Sequence, residues 1–255
     1  MTILGIIIAI VLIVLIIMFF VYFFSDPYTL LDLQNGQNTS TINASSLAKN
    51  GSNIPSNNFA YSIWFYINDF NYRYGSPKVI FGRMGEPSGS GIGSIDNVSG
   101  LDPCPAVVLG ALQNNIDVYL GCYPGLNQRP TTTGGKSVVH KCSVANVPVQ
   151  KWVNLVISVY GRSMDIYIDG KLVRTCLLPG IANVNNNSNV YVTPGGGFNG
   201  WTSKFQYYPN SLNPQEVYNI YTRGYGGNLF TNFLNSYQVQ IALLENGTTQ
   251  SSITI

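Results

Sequence analysis

The stretch Trp152–Cys176, WVNLVISVYGRSMDIYIDGKLVRTC, decides the fold. Val153, Leu155, Ile157 and Val159 alternate with Trp152, Asn154, Val156 and Ser158, the period of a strand whose two faces meet different surroundings. Met164 to Asp169 alternates again, and Asp169-Gly170 leads into Lys171 to Cys176. An Asp-Gly pair between alternating runs predicts a two-residue hairpin turn, because both turn positions need positive φ. Three linked antiparallel strands imply a larger sheet around them, since a lone hairpin is marginal in water.

The pattern recurs on both sides. Phe59 to Ile67 (FAYSIWFYI) alternates and is rich in aromatics. Lys78 to Arg83, Ala106 to Leu112, Ile116 to Cys122, Val138 to Val144, Val190 to Thr193 and Gly200 to Tyr208 read as further short strands. Asn213-Pro214-Gln215-Glu216 opens the one convincing helix outside the amino terminus. Asn213 caps it, Pro214 suits the first helical position, and Glu216 reaches back as in a capping box. Val217, Ile220 and Tyr221 share a face suited to docking on a sheet, and Gly224 ends the helix. Many short strands, turn signals between them and one short helix predict an all-β fold, a two-sheet antiparallel jelly-roll sandwich.

The run W-x-N-L-x-I-S-V-Y-G-x-x-x-D-I-Y-I-D-G-K-L-V resembles the central hairpin of laminin-G-like and concanavalin A-like domains. Gly196 to Gly224, GGFNGWTSKFQYYPNSLNPQEVYNIYTRG, resembles their closing strand and helix. The resemblance covers Phe59 to Gly224 and implies the concanavalin A-like sandwich. Its motifs are structural and carry no function by themselves.

Ile3 to Phe24 carries no charge. As a helix it would be about 33 Å long, enough for a hydrocarbon core of about 30 Å. The start, MTILG, lacks Lys and Arg, and Phe23-Phe24-Ser25-Asp26-Pro27 is a poor cleavage site. An uncleaved anchor is therefore expected rather than a signal peptide, with Ile3, Ile10, Ile17 and Phe24 in the lipid bilayer. The expected organisation is a transmembrane anchor at residues 1–25, a polar spacer at 26–58, the sandwich at 59–224 and a carboxyl-terminal extension at 225–255. Within the spacer Tyr28 to Leu33 suits a short strand or a segment packed on the domain, and Asn35 to Asn58 an extended stalk or long edge segment. Within the extension, Tyr237 to Leu244 and Ser252 to Ile255 form a hairpin around Glu245-Asn246-Gly247.

Charged residues make up only 9% of the chain and the net charge is +2, without a clustered basic face, which argues against nucleic acid as a partner. His140 is the only histidine, so a two-histidine zinc site is excluded, and no G-x-S-x-G motif occurs. Glycoside hydrolysis needs two carboxylates about 5–10 Å apart. Asp165 and Asp169 share a strand face but lie about 13 Å apart by strand rise, and Asp169 is explained by its turn. No catalytic residue is assigned. No cofactor is required, although the resemblance allows a calcium ion at the sandwich rim, for which Asp96, Asn97 and Asp102 are the candidate ligands and Asp117, Asp69 and Asn71 are also available. Tyr72, Tyr74, Tyr123 and Trp201 stand beside loops and are candidate glycan contacts, against a background of 17 tyrosines that mostly pack.

Four cysteines, Cys104, Cys122, Cys142 and Cys176, in a membrane-anchored β-domain suggest disulfides. Three pairings are open. Their places at turn borders and strand ends favour Cys104 with Cys122 and Cys142 with Cys176. The Asn- and Tyr-rich composition and the segment F-x-Y-S-I-W-F-Y-I-N-D-F-N-Y-R-Y-G make the chain similar to membrane or virion proteins of large DNA viruses of algae and amoebae. That resemblance implies a non-enzymatic structural or binding protein at a virion membrane or cell surface, with capsid or membrane-assembly proteins as partners. The alternative is a calcium-assisted, carbohydrate-binding adhesion module with glycans as partners. A glycoside hydrolase is the weakest reading.

Overall fold

The structure is a computed structural model that describes residues 11–12, 14–16, 18–19, 26–47, 57–84, 103–129, 137–226, 240–245 and 248–254. Alternating apolar residues build two antiparallel sheets that face each other across one core. The seven-stranded sheet A runs in the order β1 (Thr29–Leu31), β13 (Asn199–Tyr208), β4 (Phe59–Asp69), β9 (Trp152–Tyr160), β10 (Ser163–Ile168) and β11 (Lys171–Leu177), with β2 (Gln34–Asn35) also pairing β13. The six-stranded sheet B runs β3 (Ser40–Ile42), β12 (Val190–Val192), β5 (Lys78–Arg83), β6 (Ala106–Leu109), β7 (Ile116–Cys122) and β8 (Val138–Val144). The expected all-β, two-sheet architecture is what the chain forms.

The alternation in β9 resolves as expected. Val153, Leu155, Ile157 and Val159 enter the core with Tyr61, Ile63, Phe65 and Ile67 of β4 and with Ile80, Phe81, Val107, Val118 and Leu120 of sheet B. Asp169 and Gly170 take φ of 50° and 74°, the left-handed pair that the hairpin between β10 and β11 requires. The Pro214–Thr222 helix carries the expected capping box: Glu216 N donates to Asn213 Oδ1 at 3.0 Å and Asn213 N donates to Glu216 Oε2 at 2.7 Å. Its apolar side, Val217 and Ile220, is buried on the outer face of sheet A against Ala60, Val156, Tyr167 and Tyr208.

The sandwich occupies a compact unit from Tyr28 to Tyr225. It therefore begins some thirty residues before the expected Phe59, inside the stretch read as a polar spacer. Thr29 pairs with Gln206 and Trp201 with Asn35 on sheet A, while Ile42 pairs with Val190 on sheet B. Ile42 and Leu47 are buried in the core, with Leu30 and Leu31 packed against it. These few apolar residues, isolated among polar ones, are fixed by distant partners and not by any local pattern.

One of the two expected disulfides forms. Cys142 on β8 and Cys176 on β11 are bonded, with Cα atoms 6.3 Å apart, and join an edge of sheet B to an edge of sheet A. Closing a loop of that size stabilises by about 3–4 kcal/mol in the chain-entropy account. Cys104 and Cys122, expected as the other pair, are free and buried. Cys122 Sγ donates to Leu120 O at 3.7 Å. Burial pushes the Cys104 thiol up to about 12 and the Cys122 thiol up to about 11, so both stay protonated at neutral pH.

The second compact unit comprises residues 1–27 and 226–255. It contains the carboxyl-terminal hairpin, in which β14 (Gln240–Glu245) pairs antiparallel with β15 (Thr248–Thr254). The described residues between 11 and 19 are helical and their side chains are exposed. Among the described residues no helix is long and apolar enough to cross a membrane. The anchor positions Ile3, Ile10, Ile17 and Phe24 lie outside the described residues.

Candidate binding face

The outward phase of the sheet A strands is where side chains collect that the core does not use. Antiparallel register places Trp201 of β13 opposite Tyr66 of β4, and Tyr66 opposite Trp152 of β9. Asn35 of β2 stands on the other side of Trp201. Three adjacent strands thus each offer one aromatic side chain in a single row, at the strand spacing of about 4.8 Å. Tyr66 and Trp152 rings lie 5.8 Å apart, tilted by 53°. Trp201 is 45% exposed and makes no ring contact among the described residues.

The chain beyond the helix lies over the Trp152 end of the row. Gly224, at φ 71°, turns the backbone out of the helix. Lys204 Nζ donates to Gly224 O at 2.9 Å and Ser203 Oγ donates to Tyr225 O at 2.7 Å, which pins this segment to β13. Tyr225 consequently stacks on Trp152 with ring centroids 4.4 Å apart and planes 11° from parallel. Behind this layer the buried Trp64 stacks on Tyr221 at 5.7 Å. Gly200 is what lets Trp201 sit beside Tyr66, since a Cβ there would stand 1.8 Å from the Tyr66 carbonyl oxygen.

Amides flank the row. One pleat outward, Asn68 Nδ2 donates to Asn199 Oδ1 at 3.3 Å at the exposed surface. One pleat inward, the buried Asn154 donates through Nδ2 to Ser62 Oγ at 3.3 Å, and its Oδ1 has no hydrogen-bond donor. The ion pair nearby in sequence is internally satisfied. Lys151 Nζ meets Asp169 Oδ2 at 3.0 Å, while Asp169 Oδ1 accepts from Asn154 N at 2.9 Å. The face is aromatic and polar, with its charges already paired.

The residues expected to bind glycan do not come together. Trp201 lies in the row. Tyr72 and Tyr74 sit in the turn after β4, where Arg73 Nη1 donates to Gly195 O at 2.5 Å. Tyr123 follows β7 on sheet B, with its backbone N donating to Ile181 O. The calcium candidates Asp96, Asn97 and Asp102 lie outside the described residues. Asp117 is tied to Lys141 at 3.0 Å, and Asp69 Oδ1 accepts from Asn71 N at 2.8 Å. Among the described residues no group of three His, Cys, Asp or Glu side chains forms a metal site. The other carboxylates named above serve the fold: Asp165 Oδ1 accepts from Thr175 Oγ1 at 2.6 Å and Glu216 closes the helix cap. His140 is half-buried on edge strand β8, and burial lowers its pKa.

Tyr66, Trp152 and Tyr225 were not among the expected site residues. A signal for two of them exists in the sequence: Trp64, Tyr66 and Trp152 all fall on the strand phase opposite the aliphatic core residues. Nothing local shows that β4, β9 and β13 stand side by side.

The family model for the concanavalin A-like lectin/glucanases superfamily, Laminin_G_3, matches residues 37–218. No curated protein sequence matches the chain. Among solved structures, the receptor binding domain of botulinum neurotoxin D aligns with a TM-score of 0.50 at 14% identity, over 76% of this chain and 44% of that one. The binding domain of botulinum neurotoxin DC in complex with rat synaptotagmin II aligns with a TM-score of 0.47 at 14% identity, over 75% of this chain and 43% of that one. The chain thus spans less than half the length of these proteins, and the likeness to the first is one of fold. With the model covering most of its length, the chain belongs to the concanavalin A-like lectin/glucanase superfamily, in its laminin-G-like branch.

Proposed function

We propose that this protein is a membrane-anchored, non-enzymatic binding module that displays a lectin-like sandwich and recognises glycans. The observation that carries the reading is the open end of the outer sheet A face, where Trp201, Tyr66, Trp152 and Tyr225 form an aromatic row edged by the amides of Asn35, Asn68 and Asn199. Aromatic rings meet the C–H faces of sugars while amides meet hydroxyls, which is the chemistry a glycan site needs. The carboxylates Asp117, Asp165, Asp169 and Glu216 are each engaged in local structure, which favours binding over hydrolysis. The Cys142–Cys176 disulfide favours display of the sandwich in an oxidising compartment, and the apolar Ile3 to Phe24 supports the anchor.

The test is glycan-array binding by the purified full-length chain, with calcium and with EDTA. The reading expects binding to a defined glycan class that survives EDTA. Binding that requires calcium would move the site toward Asp96, Asn97 and Asp102. Silence in both conditions from a folded sample would overturn the glycan reading. A second reading, a structural component of a virion membrane, rests on the Asn- and Tyr-rich resemblance described above. Under it, crosslinking in the membrane would yield capsid or membrane-assembly proteins.

A further inference from the structure

Resting on the glycan-binding reading, we propose that the aromatic row takes an uncharged, unbranched, β-linked glycan lying across the strands, one sugar ring per strand. Three observations point to this ligand class. The first is pitch. Trp201, Tyr66 and Trp152 stand directly opposite one another on consecutive strands, so the row repeats at the sheet spacing of about 4.8 Å. An extended β-linked glycan presents successive rings at close to that repeat, and at the third position it meets Tyr225, which lies over Trp152 and is 44% exposed.

The second is charge. Lys151 and Asp169 neutralise each other at 3.0 Å, and Lys204 is spent on the Gly224 carbonyl. An acidic sugar would find no free cation among these groups, and a basic one no free carboxylate. The third is hydrogen bonding. The Asn68–Asn199 pair lies exposed along one side of the row, and Asn35 stands opposite Trp201 at its β2 end. Their amides suit the hydroxyl and amide groups arrayed along a flat chain.

The experiment titrates the full-length chain, held in a detergent without a sugar headgroup, with β-1,4-linked glucose and N-acetylglucosamine oligomers of increasing length. A sialylated trisaccharide and phosphatidylcholine vesicles are the comparison ligands. Affinity for the neutral oligomers is expected to rise with each added unit up to about three, the length of the row, and then to level off. It is expected to be insensitive to salt, because no ion pair forms. Trp201→Ala is expected to cost about tenfold, the loss of one stacked ring. Tyr160→Ala, at the exposed far end of β9, is expected to cost nothing.

Affinity independent of oligomer length would overturn the placement across the strands. Preference for the sialylated ligand, lost in Trp201→Ala, would overturn the neutral class and leave the glycan reading standing. Binding to vesicles with no response to any sugar would overturn both.

Discussion

The outer face of sheet A has two ends, built on the same strands and treated differently. At one end Ala60, Val156, Tyr167 and Tyr208 lie under the helix residues Val217 and Ile220. Ser158 Oγ donates to Leu212 O at 3.1 Å and accepts from Leu212 N at 2.9 Å, which pins the helix approach. At the other end Trp201 and Tyr225 keep their rings at the surface, with Tyr66 and Trp152 half-buried beside them. At the covered end even the rings of Tyr167 and Tyr208 are shut away beside Ala60 and Val156. The open end carries Trp and Tyr, whose polar tips tolerate water while their ring faces remain available. An apolar sheet face must be covered by something. Here the chain covers half of it and leaves the half best suited to a partner.

The comparison breaks first at the covered end. Val217→Asp would bury an unpaired carboxylate between helix and sheet, at a cost of about 4 kcal/mol. For a chain of this size that lowers Tm by roughly 8–16 °C, measurable in a calorimetric melt. Replacing both Cys142 and Cys176 by Ser calibrates the scale away from either end. It should cost about 3 kcal/mol by loop entropy, read as a shift in the denaturation midpoint. Asn213→Ala removes one half of the helix cap and should cost about 1 kcal/mol by the same measurement. Trp201→Ala, at the open end, should change stability by no more than about 0.5 kcal/mol while removing most ligand binding. A large loss of stability from Trp201→Ala would mean that this end is packing surface like the other.

The features legible in the sequence are those whose cause is local. Positive φ at Asp169 and Gly170 follows from the residue pair itself, and the Asn213–Glu216 box is closed within three residues. The inward phase of β9 follows from alternation alone. The pairing of the first strands was hidden because its cause is remote: β1 and β2 exist through β13, and β3 through β12. The cysteine pairing was half legible for the same reason. Strand ends suggest Cys142 with Cys176, whose bond depends on the edge strands β8 and β11 meeting, while Cys104 and Cys122, equally placed by spacing, are free. The aromatic row needed the order β13–β4–β9, which no spacing in the chain reveals. Of the row only Trp201 is marked by the sequence as a candidate, through its nearness to a loop.

All three tryptophans of the chain, Trp64, Trp152 and Trp201, belong to this one face, so intrinsic fluorescence reports on it without a label. The most direct test is a fluorescence titration of the full-length chain, in a detergent without a sugar headgroup, with a neutral β-1,4-linked tetrasaccharide. The account expects a saturable change that persists in EDTA and needs about tenfold more sugar in Trp201→Ala with the fold intact. An unchanged spectrum at saturating sugar, from a chain whose melt shows it folded, would contradict it.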